Sequence, residues 1–160
     1  MPNLTFSPRV VGQHRPDYHC LDCMLTSPRL FGREGEALVM ALYDLLTSTV
    51  DGTYHFWPPG EREGNPRLRR VVFDPVKLLN CYGFAICGQA AQMLFSIYRA
   101  AGLTPRLFGL PGHALCEVFY DGGWHVYDVD MWTWFRTPAG HVASAAELAE
   151  QPDALILQNT

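Results

Sequence analysis

The chain has 160 residues, 48% of them apolar and 18% charged. That is one domain's length and too apolar a composition for a disordered polymer. Sixteen acidic against twelve basic residues leave a net charge of −4, which argues against nucleic-acid binding through phosphate contacts, because that needs a positive field. No apolar run approaches the ~20 residues that span a bilayer. The opening MPNLTFSPRVVGQHRPD has no apolar core of signal-peptide length, so no membrane span is expected in this chain, and any targeting segment is expected to be absent or already removed.

Residues 1–33 carry four prolines and no sustained periodicity, and they read as an irregular N-terminal arm. Within it, Cys20 and Cys23 form a C-x-x-C preceded by His19. A zinc site would need a second ligand pair, and a thioredoxin-type redox pair would need a strand before it and a helix after it. With Pro16 and Pro28 on either side, the pair reads as two partly buried thiols. The cysteines Cys20, Cys23, Cys81, Cys87 and Cys116 are odd in number and irregular in spacing, which is not the pattern of a disulfide framework.

Residues 34–160 read as a single domain. From Glu34 to about Thr49, Ala37, Leu38, Ala41, Leu42, Leu45 and Leu46 recur at helical spacing and predict an amphipathic helix. Asp51-Gly52 marks a turn, and Pro58-Pro59-Gly60 and Gly64-Asn65-Pro66 mark loops, followed by a short basic run at Arg67, Arg69 and Arg70. Asp74-Pro75 is an N-cap with proline at the first helical position, opening a short helix through Leu79. After a break at Asn80-Cys81-Tyr82-Gly83 comes the strongest helix, Cys87 to about Ala101. Ala90, Ala91, Met93, Leu94, Ile97, Tyr98 and Ala101 mark its buried face, and Gly102 is its stop.

Beyond Gly102 the period changes from helix to strand. Arg106–Leu110, His113–Tyr120 and Trp124–Asp128 are short β-type segments, and Asp121-Gly122-Gly123 between the last two is a hairpin turn. Ser144 with Glu147 forms a capping box for a short helix stopped near Pro152, and Ala154–Gln158 reads as a last strand. Helices first and antiparallel strands afterwards predict an α+β architecture. Ending almost directly after an apolar strand, the chain reads as a piece of a longer protein.

Three residues in this framework carry chemistry. Cys87 opens the central helix, where roughly half a unit of positive charge favours thiolate over thiol. The N–H groups of that first turn can hold a developing oxyanion. His113 opens a strand and can serve as acid and base, and a carboxylate beside it would fix its tautomer. If Asp121-Gly122 is a two-residue type I′ turn, Tyr120 pairs with Gly123 and Leu115 faces Asp128. His113 and Asp128 are then diagonal neighbours, ~7–8 Å apart at Cα. A turn at Gly122-Gly123 would put Asp130 in that place instead. Asp128 is preferred because Asp-Gly is the stronger turn pair.

The stretch DPVKLLNCYGFAICGQAAQMLFSIYRAAGLTPRLFGLPGHALCEVFYDGGWHVYDVDM, from Asp74 to Met131, resembles the transglutaminase-like superfamily, relatives of the papain-like thiol enzymes. The resemblance rests on Cys87-Gly88-Gln89-Ala90, on Ala101-Gly102-Leu103-Thr104-Pro105-Arg106, and on His113 through Asp128 with Glu117 and Trp124 between. It covers a little over a third of the chain. It implies a helix packed on an antiparallel sheet, with Cys87 as nucleophile, His113 as general acid/base and Asp128 as the orienting acid. Family members often place an oxyanion-binding residue upstream of the cysteine; Asn80 and Tyr82 are the candidates, beside the Cys87 N–H. The resemblance is to the bacterial type: no acidic calcium loop is present, and no metal or other cofactor is expected.

The expected activity is acyl transfer on peptide or carboxamide bonds through a thioester. Hydrolysis by a peptidase or amidase is favoured over cross-linking, because no amine-acceptor site is evident. The alternative is a catalytically weak module of the same type kept for binding or assembly. Trp124 and Trp132 are candidates for a substrate cleft, although packing is the commoner fate of aromatics. Cys116, three residues past His113, is expected in the core, and the remaining histidines on the surface or satisfied. The expected partner is a protein or peptide substrate, with no oligomeric state implied; localisation is left open, since free-thiol chemistry fits a reducing compartment such as the cytoplasm while many thiol hydrolases work outside the cell.

Overall fold

The computed structural model describes residues 18–47, 54–55, 73–82, 84–151, 153 and 156–159, and only the backbone of Tyr54, His55, Cys81, Tyr82, Phe84 and Asn159. It is an α+β arrangement of helices and mainly antiparallel strands. The turn expected at Asp51-Gly52, the two proline-glycine loops and the arginine run after them lie outside the described residues.

Part of the arm predicted as irregular is ordered into α1, Leu21–Leu25, and a 3-10 turn, Pro28–Leu30. Tyr18, Met24 and Leu30 are buried here, and the Tyr18 hydroxyl donates to the Leu45 carbonyl at 3.1 Å. Cys20 and Cys23 are joined in a disulfide rather than standing as two thiols. Their three-residue spacing places both sulfurs on one side of a helical turn.

Helix α2, Gly35–Thr47, buries Val39, Ala41, Leu42, Tyr43, Leu45 and Leu46, a face turned toward Val39 and Tyr43 from the predicted stripe, whose Ala37 is exposed and Leu38 half-buried. Helix α3, Pro75–Lys77, is capped by the Asp74 carboxylate, which accepts from the Lys77 N–H at 3.2 Å. At Asn80–Tyr82 the expected break is instead part of a π-helical turn, Leu78–Tyr82, and Gly83 lies outside the described residues. The Asn80 amide helps to hold it by donating to the carbonyls of Val76 and Tyr18. Strand β1, Tyr54–His55, pairs in parallel with β2, Phe84–Ala85, and neither was signalled by sequence.

Helix α4, Cys87–Ala100, is the central helix, with Ala90, Ala91, Met93, Leu94, Ile97 and Tyr98 all buried. It ends as its glycine demands. Gly102 has φ +80° and the Leu103 N–H reaches back to the Tyr98 carbonyl at 3.0 Å, a left-handed cap that most side chains would strain. The helix lies across a three-stranded sheet of β3 (Thr104–Leu110), β4 (His113–Tyr120) and β5 (Gly123–Tyr127). Asp121 and Gly122 both have positive φ, +48° and +82°, and Tyr120 faces Gly123. That is the type I′ geometry and the register that Asp-Gly predicts.

The two sheet faces have different fates. Cys116, Val118, Tyr120 and Tyr127 join the main core with α2 and α4, while Leu115 and Val126 form a smaller cluster with Ala145. Burial pushes the Tyr98 and Tyr127 phenols well up, and Tyr120 up to about 12, so this tyrosine cluster stays neutral. On the smaller face the fully buried Glu117 accepts from Arg106 Nε at 2.6 Å and from the Ala145 N–H at 2.7 Å. Glu117 thereby ties strand β3 and the start of helix α5, Ala145–Glu150, to strand β4.

The α5 capping box is formed as predicted, with Ser144 and Glu147 exchanging bonds. The Ser144 N–H, with help from His141, holds the Glu147 carboxyl down at about 2 against an ordinary 4.5. A depressed folded-state value means stability that is present above pH ~4.5 and is lost as pH falls toward ~2. We therefore expect the wild-type urea midpoint to fall across this window more steeply than that of Glu147→Gln. Equal slopes would show that the cap contributes nothing. Helix α5 is followed by β7, Ile156–Asn159, which overlaps the predicted Ala154–Gln158 strand and ends one residue beyond it, Ala154 and Leu155 lying outside the described residues; β7 pairs antiparallel with β6, Thr133–Arg136. Strand β6 was not foreseen, because its aromatics obscure the alternation that marks a strand.

Candidate functional site

The site forms where α4 and β4 both begin. Cys87 is the first residue of α4 and His113 the first of β4. The start of α4 is fixed by its own sequence: the Gln89 side-chain oxygen accepts the Ile86 N–H at 3.0 Å. That is the backward half of a capping box, placing Cys87 and Gly88 in the first turn, whose N–H groups have no acceptor within the helix.

His113 and Asp128 meet as the hairpin register requires. His113 Nε2 lies 2.7 Å from Asp128 Oδ2. Asp128 is 8% exposed and bonded through nearly every polar atom. Its N–H donates to the Thr133 carbonyl, and its own carbonyl accepts from the Thr133 N–H at 3.0 Å and the Tyr43 hydroxyl at 3.1 Å. Its other carboxylate oxygen, Oδ1, accepts the Met131 N–H at 3.0 Å. With its backbone bonded on both sides and Oδ1 held by Met131, the carboxylate is aimed at the imidazole, which is the property an orienting acid needs.

Asp130 does not take that role. One of its carboxylate oxygens lies instead within 4.8 Å of both Cys87 Sγ and a ring nitrogen of His113. With Nε2 engaged by Asp128, Nδ1 is the imidazole nitrogen left for the thiol. Cys87, His113 and Asp130 are all half-buried, so the group is open to solvent on one side. Cys116 differs: it is fully buried, and that burial pushes its thiol well above the ordinary range.

Beside His113 and Asp128 lies an apolar hollow of about 500 Å³, walled by Met131, Thr133, Phe135 and Leu157. Met131 and Leu157 are 65% and 52% exposed, so the rim of the hollow is apolar and open to solvent. The loop between Asp128 and Thr133 closes on a backbone bridge, and Trp132 within it has φ +54°. A bulky residue in the left-handed region costs roughly 1–3 kcal/mol and is found mainly where a loop's shape matters.

Other predicted site residues are placed elsewhere. Asn80 does not serve the oxyanion, because its amide is spent on the carbonyls of Val76 and Tyr18. Tyr82 is described only as the end of the π-helical turn. Trp124 does not line this cleft: it pairs across from Phe119, near the turn end of the hairpin, with the Arg106 guanidinium 3.9 Å from its ring. Six residues of strand separate that end from His113, ~20 Å. Trp132 is half-buried, and its neighbours Met131 and Thr133 wall the hollow. His125 bonds the carbonyls of Val142 and Tyr120, and His141 pairs with Glu147, so both are satisfied.

Sequence reasoning missed Tyr43, whose hydroxyl supports Asp128 and whose ring packs on Tyr127 and Trp134 at 5.5 Å. Its position four residues after Val39, on the buried side of α2, was the available signal. Leu157 could not be foreseen, since β7 brings it beside Phe135 of β6 from a distant segment. In comparisons with known protein families, curated proteins and solved structures, nothing matches this chain.

Proposed function

We propose that the protein is a cysteine-dependent acyl-transfer enzyme of the transglutaminase-like, papain-related type. The reading favours hydrolysis of peptide or carboxamide bonds. The observation that carries it is the 2.7 Å contact between His113 and Asp128, made beside a thiol at the first position of a helix. The Asp-Gly hairpin and the start of α4 produce this arrangement from separate parts of the chain.

The geometry supports the following chemistry. His113 Nδ1 takes the Cys87 proton as sulfur attacks the substrate carbonyl carbon. The oxyanion that forms is held by the N–H groups of the first turn of α4. As the tetrahedral species collapses, the imidazolium returns the proton to the leaving amine, which departs and leaves a thioester on Cys87. Water, deprotonated by His113, then attacks the thioester carbon; the C–S bond breaks to release the acid, and the imidazolium proton returns to the Cys87 sulfur. Asp128 keeps the proton on Nε2 and balances the imidazolium charge at each stage. The apolar hollow beside His113 suits a hydrophobic group of the substrate.

The test is alkylation of the native protein with limiting iodoacetamide at neutral pH, followed by peptide mapping. Cys87 is expected to take the label first and Cys116 only on unfolding. His113→Ala should slow Cys87 by roughly 10²-fold, the lower range for a positioned base. A Cys87 that reacts no faster than a small free thiol, or at the same rate in His113→Ala, would overturn the reading.

A further inference from the structure

The mechanism above gives Asp130 no task, although its carboxylate shares a 4.8 Å neighbourhood with Cys87 Sγ and a ring nitrogen of His113. Two donors that can be anionic, together with an imidazole, surround one point. We infer that Cys87 Sγ, His113 Nδ1 and an Asp130 carboxylate oxygen form a binding site for a thiophilic divalent cation of the zinc class, and that the bound cation blocks Cys87. The site uses the same thiol and imidazole as the proposed enzyme, but it does not rest on catalysis.

Three features support it. The donor set is chemically suited: thiolate and imidazole are ligands zinc prefers over harder cations, and a carboxylate completes a three-residue set with a fourth position open. The distances are nearly right. Zinc bonds of about 2.0–2.3 Å put tetrahedral ligands ~3.3–3.8 Å apart, so side-chain rotations of about an ångström close the set. The imidazole is also supported from behind. Asp128 Oδ2 engages Nε2 at 2.7 Å and is itself fixed by the Met131 N–H, which is the carboxylate–histidine–metal relay that keeps the ligating nitrogen unprotonated and correctly aimed.

Binding would displace the thiol proton to solvent and leave the neutral imidazole lone pair on the metal. The sulfur lone pairs that would attack a carbonyl are then committed to the cation. No motif in the sequence announces this site, because its ligands come from a helix start, a strand start and the loop after β5.

The experiment titrates zinc sulfate into the full chain, with the Cys20–Cys23 disulfide intact, against a chromophoric chelator. Cys87 alkylation is followed in parallel. One zinc per chain is expected, and saturating zinc should slow Cys87 labelling at least tenfold. Cys87→Ser should abolish stoichiometric binding, and Asp130→Asn should weaken it about tenfold. Asp128→Asn, acting through His113, should weaken it by ~10–100-fold. Circular dichroism would confirm that each variant is folded. Unchanged Cys87 labelling under saturating zinc, or unchanged stoichiometry in Cys87→Ser, would overturn the site. Fast, His113-dependent labelling without zinc protection would leave the thiol-enzyme reading standing and sink only this one. Zinc protection of an otherwise sluggish Cys87 would do the reverse.

Discussion

Asp128→Asn is expected to lower the proposed acyl-transfer activity by roughly 10³–10⁴-fold while leaving the fold intact, the scale at which a wrong histidine tautomer acts in a triad. The direction follows from a hydrogen bond outside the triad. Asp128 Oδ1 accepts the Met131 N–H at 3.0 Å. An asparagine that keeps this bond must turn its oxygen to Met131 and its NH₂ to His113 Nε2. Facing a donor, Nε2 has to be the unprotonated nitrogen, and the imidazole proton moves to Nδ1. That is the nitrogen needed to accept the thiol proton, so the base is lost although the side-chain shape is preserved.

The opposite amide orientation would restore an acceptor to His113 only by pointing NH₂ at the Met131 N–H, donor against donor. Rates toward a chromogenic thioester or amide, with nitrogen-resolved NMR of the His113 ring, check this. A shift of the ring proton to Nδ1 should accompany the loss of rate. A fully active Asp128→Asn with its proton still on Nε2 would remove Asp128 from the mechanism.

Arg106→Ala is expected to destabilise the fold by about 3 kcal/mol, the lower part of the range for orphaning a buried charge. Glu117 is fully buried and has one guanidinium partner, at 2.6 Å, and one backbone donor from Ala145. Among the described residues, removing the guanidinium leaves the carboxylate with the Ala145 N–H alone. The Arg106 side chain is 45% exposed, so water can enter where it stood, which sets the effect at the lower end. For a chain of this size the loss corresponds to a fall in Tm of roughly 6–12 °C.

Two further variants separate charge from packing. Arg106→Lys should recover part of the loss, and Arg106→Ala combined with Glu117→Gln should cost less than Arg106→Ala alone, because the residual buried group is then neutral. A Tm within a degree or two of wild type for Arg106→Ala would mean that solvent already compensates Glu117. The sequence marked Glu117 only as part of a resemblance. Its task of holding the α5 start is visible only once β3, β4 and α5 are assembled.

The candidate site divides along a physical line. Where a residue's place depends on neighbours a few positions away, the sequence was enough. Asp121-Gly122 can adopt two successive positive φ values, which selects the type I′ turn, and the turn sets the pairing that brings His113 beside Asp128 rather than Asp130. Gly102 ends α4 for a similar reason, and Asp74 and Ser144 cap helices from within a single turn. Cys116 followed from strand alternation alone.

What the sequence could not supply depends on segments that meet only after folding. Asn80 was a reasonable oxyanion donor by position, yet Tyr18, from the far N-terminal arm, takes its amide. Trp124 was near the site in chain order but stands at the other end of an extended hairpin, because a strand carries residues apart at ~3.3 Å each. The approach of Asp130 to Cys87, the support of Asp128 by Tyr43, and the hollow between β6 and β7 each join parts of the chain separated by tens of residues. Local dihedral preferences decided the helices, the turn and the histidine–carboxylate pair. Long-range packing and the competition among buried polar groups for partners decided what surrounds them.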